Sequence, residues 1–159
     1  MLTSTRLLAL LTLLVTCLLL SSTVWAADPG VALANAEVND QKTGSVLIYP
    51  LIVSSAVSPQ SVNTQISITN TNVTQAVSIQ LLFVDGNTGT STNNFICLTP
   101  NQTAKFLLSD VDPGVRGYLI AVALSFSGCP ANFNYLAGEA YVKLSTGQTA
   151  NLPAEAIAA

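Results

Sequence analysis

Few residues in this chain are equipped for chemistry. Cys97 sits inside the apolar run "NNFICLTPNQ" and Cys129 opens "GCPANFN". A thiolate becomes an effective nucleophile beside a base such as histidine, and the 159 residues contain no histidine. Two thiols without histidine or a further mature-chain cysteine do not complete a four-ligand zinc site. Their spacing is not C-x-x-C, so a dithiol redox motif is excluded as well. What remains is a crosslink. In an oxidising compartment two lone thiols pair, and the residues predict a Cys97–Cys129 disulfide that closes a loop of about 30 residues.

Carboxylates are the second candidates. "DGNTG" (85–89) and "SDVDPG" (109–114) bring Asp85, Asp110 and Asp112 into loops rich in oxygen donors. Calcium takes six to eight such donors, so the three form a candidate calcium site, or the acidic rim of a carbohydrate site. The same residues are also ordinary turn chemistry, because Asp hydrogen-bonds its own backbone and Asp-Pro-Gly sets a turn. Neither loop has the EF-hand pattern. A glycosidase needs two carboxyls across a cleft. Of the eight acids, Glu139 in "LAGEAYV" is the least expected, and it reads equally as a charge on the wet side of a strand. No G-x-S-x-G occurs, and a serine triad lacks its base. These residues predict no catalytic site.

The elements that must position them read as strands. "VNTQISITNTN" alternates, with Val62, Thr64, Ile66 and Ile68 on one side. "AVSIQLLFVDG" does the same with Val77, Ile79, Leu81 and Phe83. "GYLIAVALSF" places Tyr118, Ile120, Val122, Leu124 and Phe126 in one register, and "FICLTP" puts Cys97 in phase with Phe95, on the core side. "SVLIYPLIV" is apolar on both sides and carries Pro50, which suits an edge or a bulge. About seven strands separated by Gly, Pro, Asn and Asp clusters predict an all-β fold, an antiparallel Ig-like β-sandwich. The tail "TGQTANLPAEAIAA" breaks the strand pattern and contains six good helix formers, too few for a stable isolated helix.

Composition places this fold outside the cytoplasm. "MLTSTRLLALLTLLVTCLLLSSTVWAA" has Arg6, an apolar run from Leu7 to Leu20, and small residues before Ala27, the layout of a secretory signal peptide. The run is short for a membrane span, so no transmembrane segment is expected after cleavage. Thr16 before Cys17 and leucines after it argue against a lipid anchor. Without residues 1–26 the chain has four basic residues against eight acidic ones, a net charge of −4, and no basic stripe for nucleic acid. The expected organisation is a signal peptide at 1–26, a leader at 27–44, the sandwich at 45–146 and a tail at 147–159 that is frayed or continues into a longer chain.

The stretches "FICLTPNQTAKF", "SDVDPGVRGYLIAVA", "GCPANFNYLAGEAYVKL" and "TGQTANLPAEA" resemble a group of uncharacterised secreted bacterial proteins with an Ig-like β-sandwich. The resemblance spans roughly residues 42 to 159 and implies export and fold, with no activity attached. The functional expectation is a non-enzymatic module, secreted, periplasmic or at the cell surface, with a structural or interaction role toward a protein or cell-surface component. The alternative is a module that binds calcium or carbohydrate through its acidic loops.

Overall fold

A computed structural model describes residues 37–39 and 42–158. The expected signal peptide, most of the leader and Ala159 lie outside the described residues. Among the described residues, ten strands form two antiparallel sheets. β1 (Glu37–Asn39), β2 (Val46–Val53), β4 (Val77–Asp85), β5 (Ser91–Leu98), β7 (Arg116–Leu124) and β10 (Glu155–Ala158) make the larger sheet, in the order β1-β10-β2-β7-β4-β5. β3 (Asn63–Asn70), β6 (Thr103–Leu107), β8 (Leu136–Lys143) and β9 (Thr149–Pro153) make the smaller, in the order β6-β3-β8-β9. One helical turn, α1 (Leu108–Val111), links β6 to β7. The antiparallel sandwich is as the alternation predicts, with ten strands in place of about seven.

The core lies between the sheets. In β4 the predicted set Val77, Ile79, Leu81 and Phe83 is buried, and in β3 Thr64, Ile66 and Ile68 are buried. In β7 the alternating set read from the sequence is the outer one. Leu119, Ala121 and Ala123 face inward, while Tyr118, Ile120, Val122 and Leu124 face out. Packing explains the small inward residues. Leu119 lies in register between Tyr49 and Phe83, and Ala121 between Leu47 and Leu81, so the large neighbours leave room for little more than a methyl at Ala121.

β2 is a central strand, paired with both β10 and β7, which corrects the edge reading; the bulge reading holds. The register slips between Tyr49 and Ile52, so Pro50 and Leu51 together oppose one residue of β7. Pro50 has no N–H to give to a ladder, and the bulge removes the need for one. The slip also restores the phase, so that Tyr49 and Ile52 are both fully buried. Beyond the bulge Val53 exchanges bonds with the Thr64 hydroxyl, at 2.9 Å from its N–H and 2.8 Å to its carbonyl, joining the two sheets.

Tyr49 makes a second tie. Its phenol crosses the core and donates to the Ser67 carbonyl at 2.9 Å. The hydroxyl occupies the space where a side chain at residue 138 would lie, and a Cβ there would collide with it. A glycine in the middle of β8 is thus required by close approach, not by its backbone angles. Burial, then the nearby Glu139 charge, holds the phenol far above its ordinary pKa, so it stays a donor. Every buried side-chain nitrogen or oxygen among the described residues has a hydrogen-bond partner.

The tail expectation is overturned. Residues 149–153 are β9 of the smaller sheet and residues 155–158 are β10 of the larger, inserted between β1 and β2. Ala154 alone makes the corner, buried, its N–H on the Gly138 carbonyl at 2.9 Å. The sandwich therefore extends past residue 146 and is not complete without the tail.

Candidate interaction face

Cys97 and Cys129 are both free thiols on the surface, and the predicted disulfide is absent. Cys97 lies on β5 opposite Ser78, Ser78 lies opposite Leu124, and Leu124 bridges to Pro130 on its other side. Cys129 is thus about three strand spacings from Cys97, roughly 14 Å. A disulfide needs Cα atoms within about 7 Å. The inward phase expected for Cys97 is also corrected, because Ile96 and Leu98 turn toward the core while Phe95 and Cys97 turn out. The Cys97 Sγ sits 3.5 Å from the Ser78 hydroxyl.

The acidic loops do not assemble either. Asp85 ends β4, and its Oδ1 accepts the N–H of Asn87 at 2.7 Å and of Thr88 at 3.0 Å, an Asx turn that starts the β4–β5 hairpin. Those amides, Thr88 first and then Asn87, hold its carboxyl below the ordinary range. Asp110 lies in α1, where it accepts a 3.4 Å bond from Ser109 Oγ, and Asp112 caps that turn. The Asp112 carbonyl, not its carboxylate, is engaged, by the Ser54 hydroxyl at 2.9 Å. Among the described residues no three acidic, histidine or cysteine side chains group as a metal site, so Asp85, Asp110 and Asp112 are not gathered into a calcium cage. Glu139 faces out of β8 and accepts from the Asn151 amide at 3.3 Å.

What the fold does gather is apolar. Ladder registers place side chains of five strands in rows across the outer side of the larger sheet. One row runs Ile157, Val46, Val122, Gln80, Phe95. The next runs Glu155, Ile48, Ile120, Leu82, Asn93. Tyr118 and Val84 follow toward one end, next to Leu51 of the bulge, and Leu124 with Ser78 and Cys97 toward the other. Phe95 is 59% exposed and Tyr118 39%. The outer side of the smaller sheet is of the opposite kind. Gln65, Ser67, Thr69, Thr103, Lys105, Glu139, Lys143 and Asn151 dominate it, with Leu107, Ala137, Tyr141 and Pro153 among its apolar members.

An open cleft of about 560 Å³ continues the apolar side at the Leu124 end, lined by Val77, Ser78, Cys97, Leu124, Phe126 and Phe133 among others. Phe126, at the tip of the β7–β8 loop, is fully exposed. Sequence reasoning missed this face because it set Tyr118, Ile120, Val122, Leu124 and Phe126 in one register without deciding which side they face. The signal was present: "SVLIYPLIV" and "GYLIAVALSF" are apolar at odd and even positions alike, so each must show one apolar set outward if its sheet has one open side.

No family model matches the chain, and no curated protein matches it. Among solved structures, the crystal structure of Thermotoga maritima 1070 superposes with a TM-score of 0.50 at 9% identity. The match covers 71% of this chain and 92% of that one, a likeness of fold alone.

Proposed function

We propose that the protein is an exported, non-enzymatic interaction module of the Ig-like sandwich kind, working at the bacterial cell surface or in the periplasm, with the outer side of its larger sheet as the contact surface. One observation carries the reading: a continuous apolar area across β10, β2, β7, β4 and β5 that the chain's own described residues leave open. Soluble monomers rarely expose contiguous apolar patches beyond a few hundred Å², and larger ones mark contact sites. The missing histidine and the scattered acids support the non-enzymatic half of the reading. The N-terminal charge, apolar run and small-residue site support export.

Binding of a hydrophobic dye to the native protein at high dilution, where nothing else covers the face, tests it. The wild type is expected to bind the dye, and Ile120→Glu to bind much less with an unchanged thermal midpoint. An Ile120→Glu variant that no longer folds would place residue 120 in the core and refute the assignment. Intact mass of the exported protein tests the location, with a start at Ala27 expected and retention of residues 1–26 counting against it.

A further inference from the structure

We propose that the occupant of this face is a second copy of the chain, packed sheet to sheet through the same rows; the proposal rests on the reading of the face as a contact surface. Extent is the first argument. Four strands about 4.8 Å apart, with outward residues along roughly 25 Å of strand, and the four-residue β10 beside them give about 540 Å² in projection. A standard interface takes about 800 Å² of accessible surface from each partner, and a corrugated face exposes more than its projection. One face therefore supplies close to what one partner of a stable dimer contributes.

Charge is the second argument. Among the described side chains of this face the ionic ones are Arg116 and Glu155, at its margins, and the rows between carry none. A polyanion or a strongly charged protein finds no counter-charge there. An anionic bilayer meets a chain that, without residues 1–26, has a net charge of −4 and no basic rim. A neutral, β-branched surface complements another of its own kind, and facing sheets interdigitate such side chains at about 10 Å separation.

Gln80 is the third argument. It lies in register between Val122 and Phe95, half-buried, and its amide has no hydrogen-bond partner among the described residues. A primary amide both donates and accepts, so across a twofold axis it can pair with itself. A lone amide in an apolar seam is a known way to fix one register of self-association. A non-self partner would have to bring its own matched group to the same point.

Sedimentation velocity of the full protein over a range of concentrations tests the proposal, with Val122→Asp and Gln80→Lys on the face and Gln65→Asp on the opposite side. The wild type and Gln65→Asp are expected to sediment as dimers. Val122→Asp and Gln80→Lys are expected to raise the dimer dissociation constant more than about tenfold, as centre-of-interface changes do. Gln80→Lys replaces a residue that is already polar, so it tests the interface even if Val122→Asp fails to fold. A wild type that remains monomeric overturns the proposal. In that event dye binding separates the two readings: a monomer that binds the dye keeps the face as a surface for another partner, and one that does not loses both. A dimer that survives Val122→Asp and Gln80→Lys also overturns the proposal, because association then runs through another surface, such as the open strand edges.

Discussion

The two outer sides of this sandwich face the same solvent and are built on opposite plans. The smaller sheet shows Gln65, Ser67, Thr69, Lys105 and Glu139, while the larger shows Val46, Ile48, Leu82, Ile120 and Val122. Both are antiparallel sheets covering one shared core, so fold stability does not explain the difference. A wet strand face tolerates polar residues at no packing cost, as β3 and β8 demonstrate. On the proposed reading, the β-branched residues on the open side of β2 and β7 are the ones a partner surface covers.

The comparison is broken most severely by removing a strand from beneath the apolar face. Deleting residues 149–158 takes away β9 and β10, opens the side of β2 that β10 pairs with and removes the buried Ala154 and Ala156 from the core. Loss of cooperative thermal unfolding is expected, followed by circular dichroism. A midpoint within a few degrees of the intact chain would show that the tail strands are dispensable.

A smaller break acts on the tie between the sheets. Gly138→Ala drives a Cβ into the Tyr49 hydroxyl and against Leu47, and overpacking of this kind costs about 1–3 kcal/mol. Tyr49→Phe alone loses one buried hydrogen bond and leaves the Ser67 carbonyl with one donor fewer, about 1 kcal/mol. In the Tyr49→Phe background Gly138→Ala should cost measurably less, because the hydroxyl it strikes is gone. Chemical denaturation of the four proteins measures this coupling, and strict additivity would contradict the close approach.

Neighbours on one strand sharpen the contrast further. Leu119 is fully buried and Ile120 half-exposed. Leu119→Ala should destabilise the fold by about 2–5 kcal/mol. Ile120→Ala should cost clearly less in the monomer, and Gln65→Ala on the polar side within about 0.5 kcal/mol. Equal losses at 119 and 120 would mean that both sides of the larger sheet are core.

The smallest effect belongs to the turn at the end of β4. Amides of Thr88 and Asn87 depress the Asp85 pKa in the folded state, so its contribution is present above the ordinary value of 3.8 and is lost as pH falls through the folded value. Asp85→Asn keeps an acceptor for those amides but removes the titration. Stability of the wild type should therefore fall slightly more than that of the variant between neutral pH and pH 3, and parallel curves would show that the carboxylate is not engaged.

Where one set of alternating positions is polar, the phase of a strand is legible from its residues, and β3 and β4 were. Where both sets are apolar the period survives but its sign does not. β7 was read as one register without a side, because Ile120, Val122 and Leu124 and the alternate set Leu119, Ala121 and Ala123 are both apolar. The small residues are inside because Leu47 and Leu81 flank Ala121 and Ile79 lies opposite Ala123. Cys97 was misread through its phase with Phe95, an aromatic that lies in the open. The tail was misread because "AEAIAA" favours helix locally, whereas pairing with both β1 and β2 decides its conformation. Pro50 was legible as a bulge because its missing N–H is a local fact. That its strand is central was not, because pairing partners come from distant parts of the chain.

Residue-resolved carbene footprinting of the native protein, run at low and at high concentration, tests the assignment of the two sides most directly. At low concentration Val46, Ile48, Ile120 and Val122 should be labelled while Leu47, Leu119 and Ala121 stay protected, and label on the first set should fade as concentration rises, with Gln65 and Tyr141 labelled throughout. Labelling of Leu47 and Leu119 in place of Ile48 and Ile120 would contradict the account, because the apolar set on β2 and β7 would then be the core.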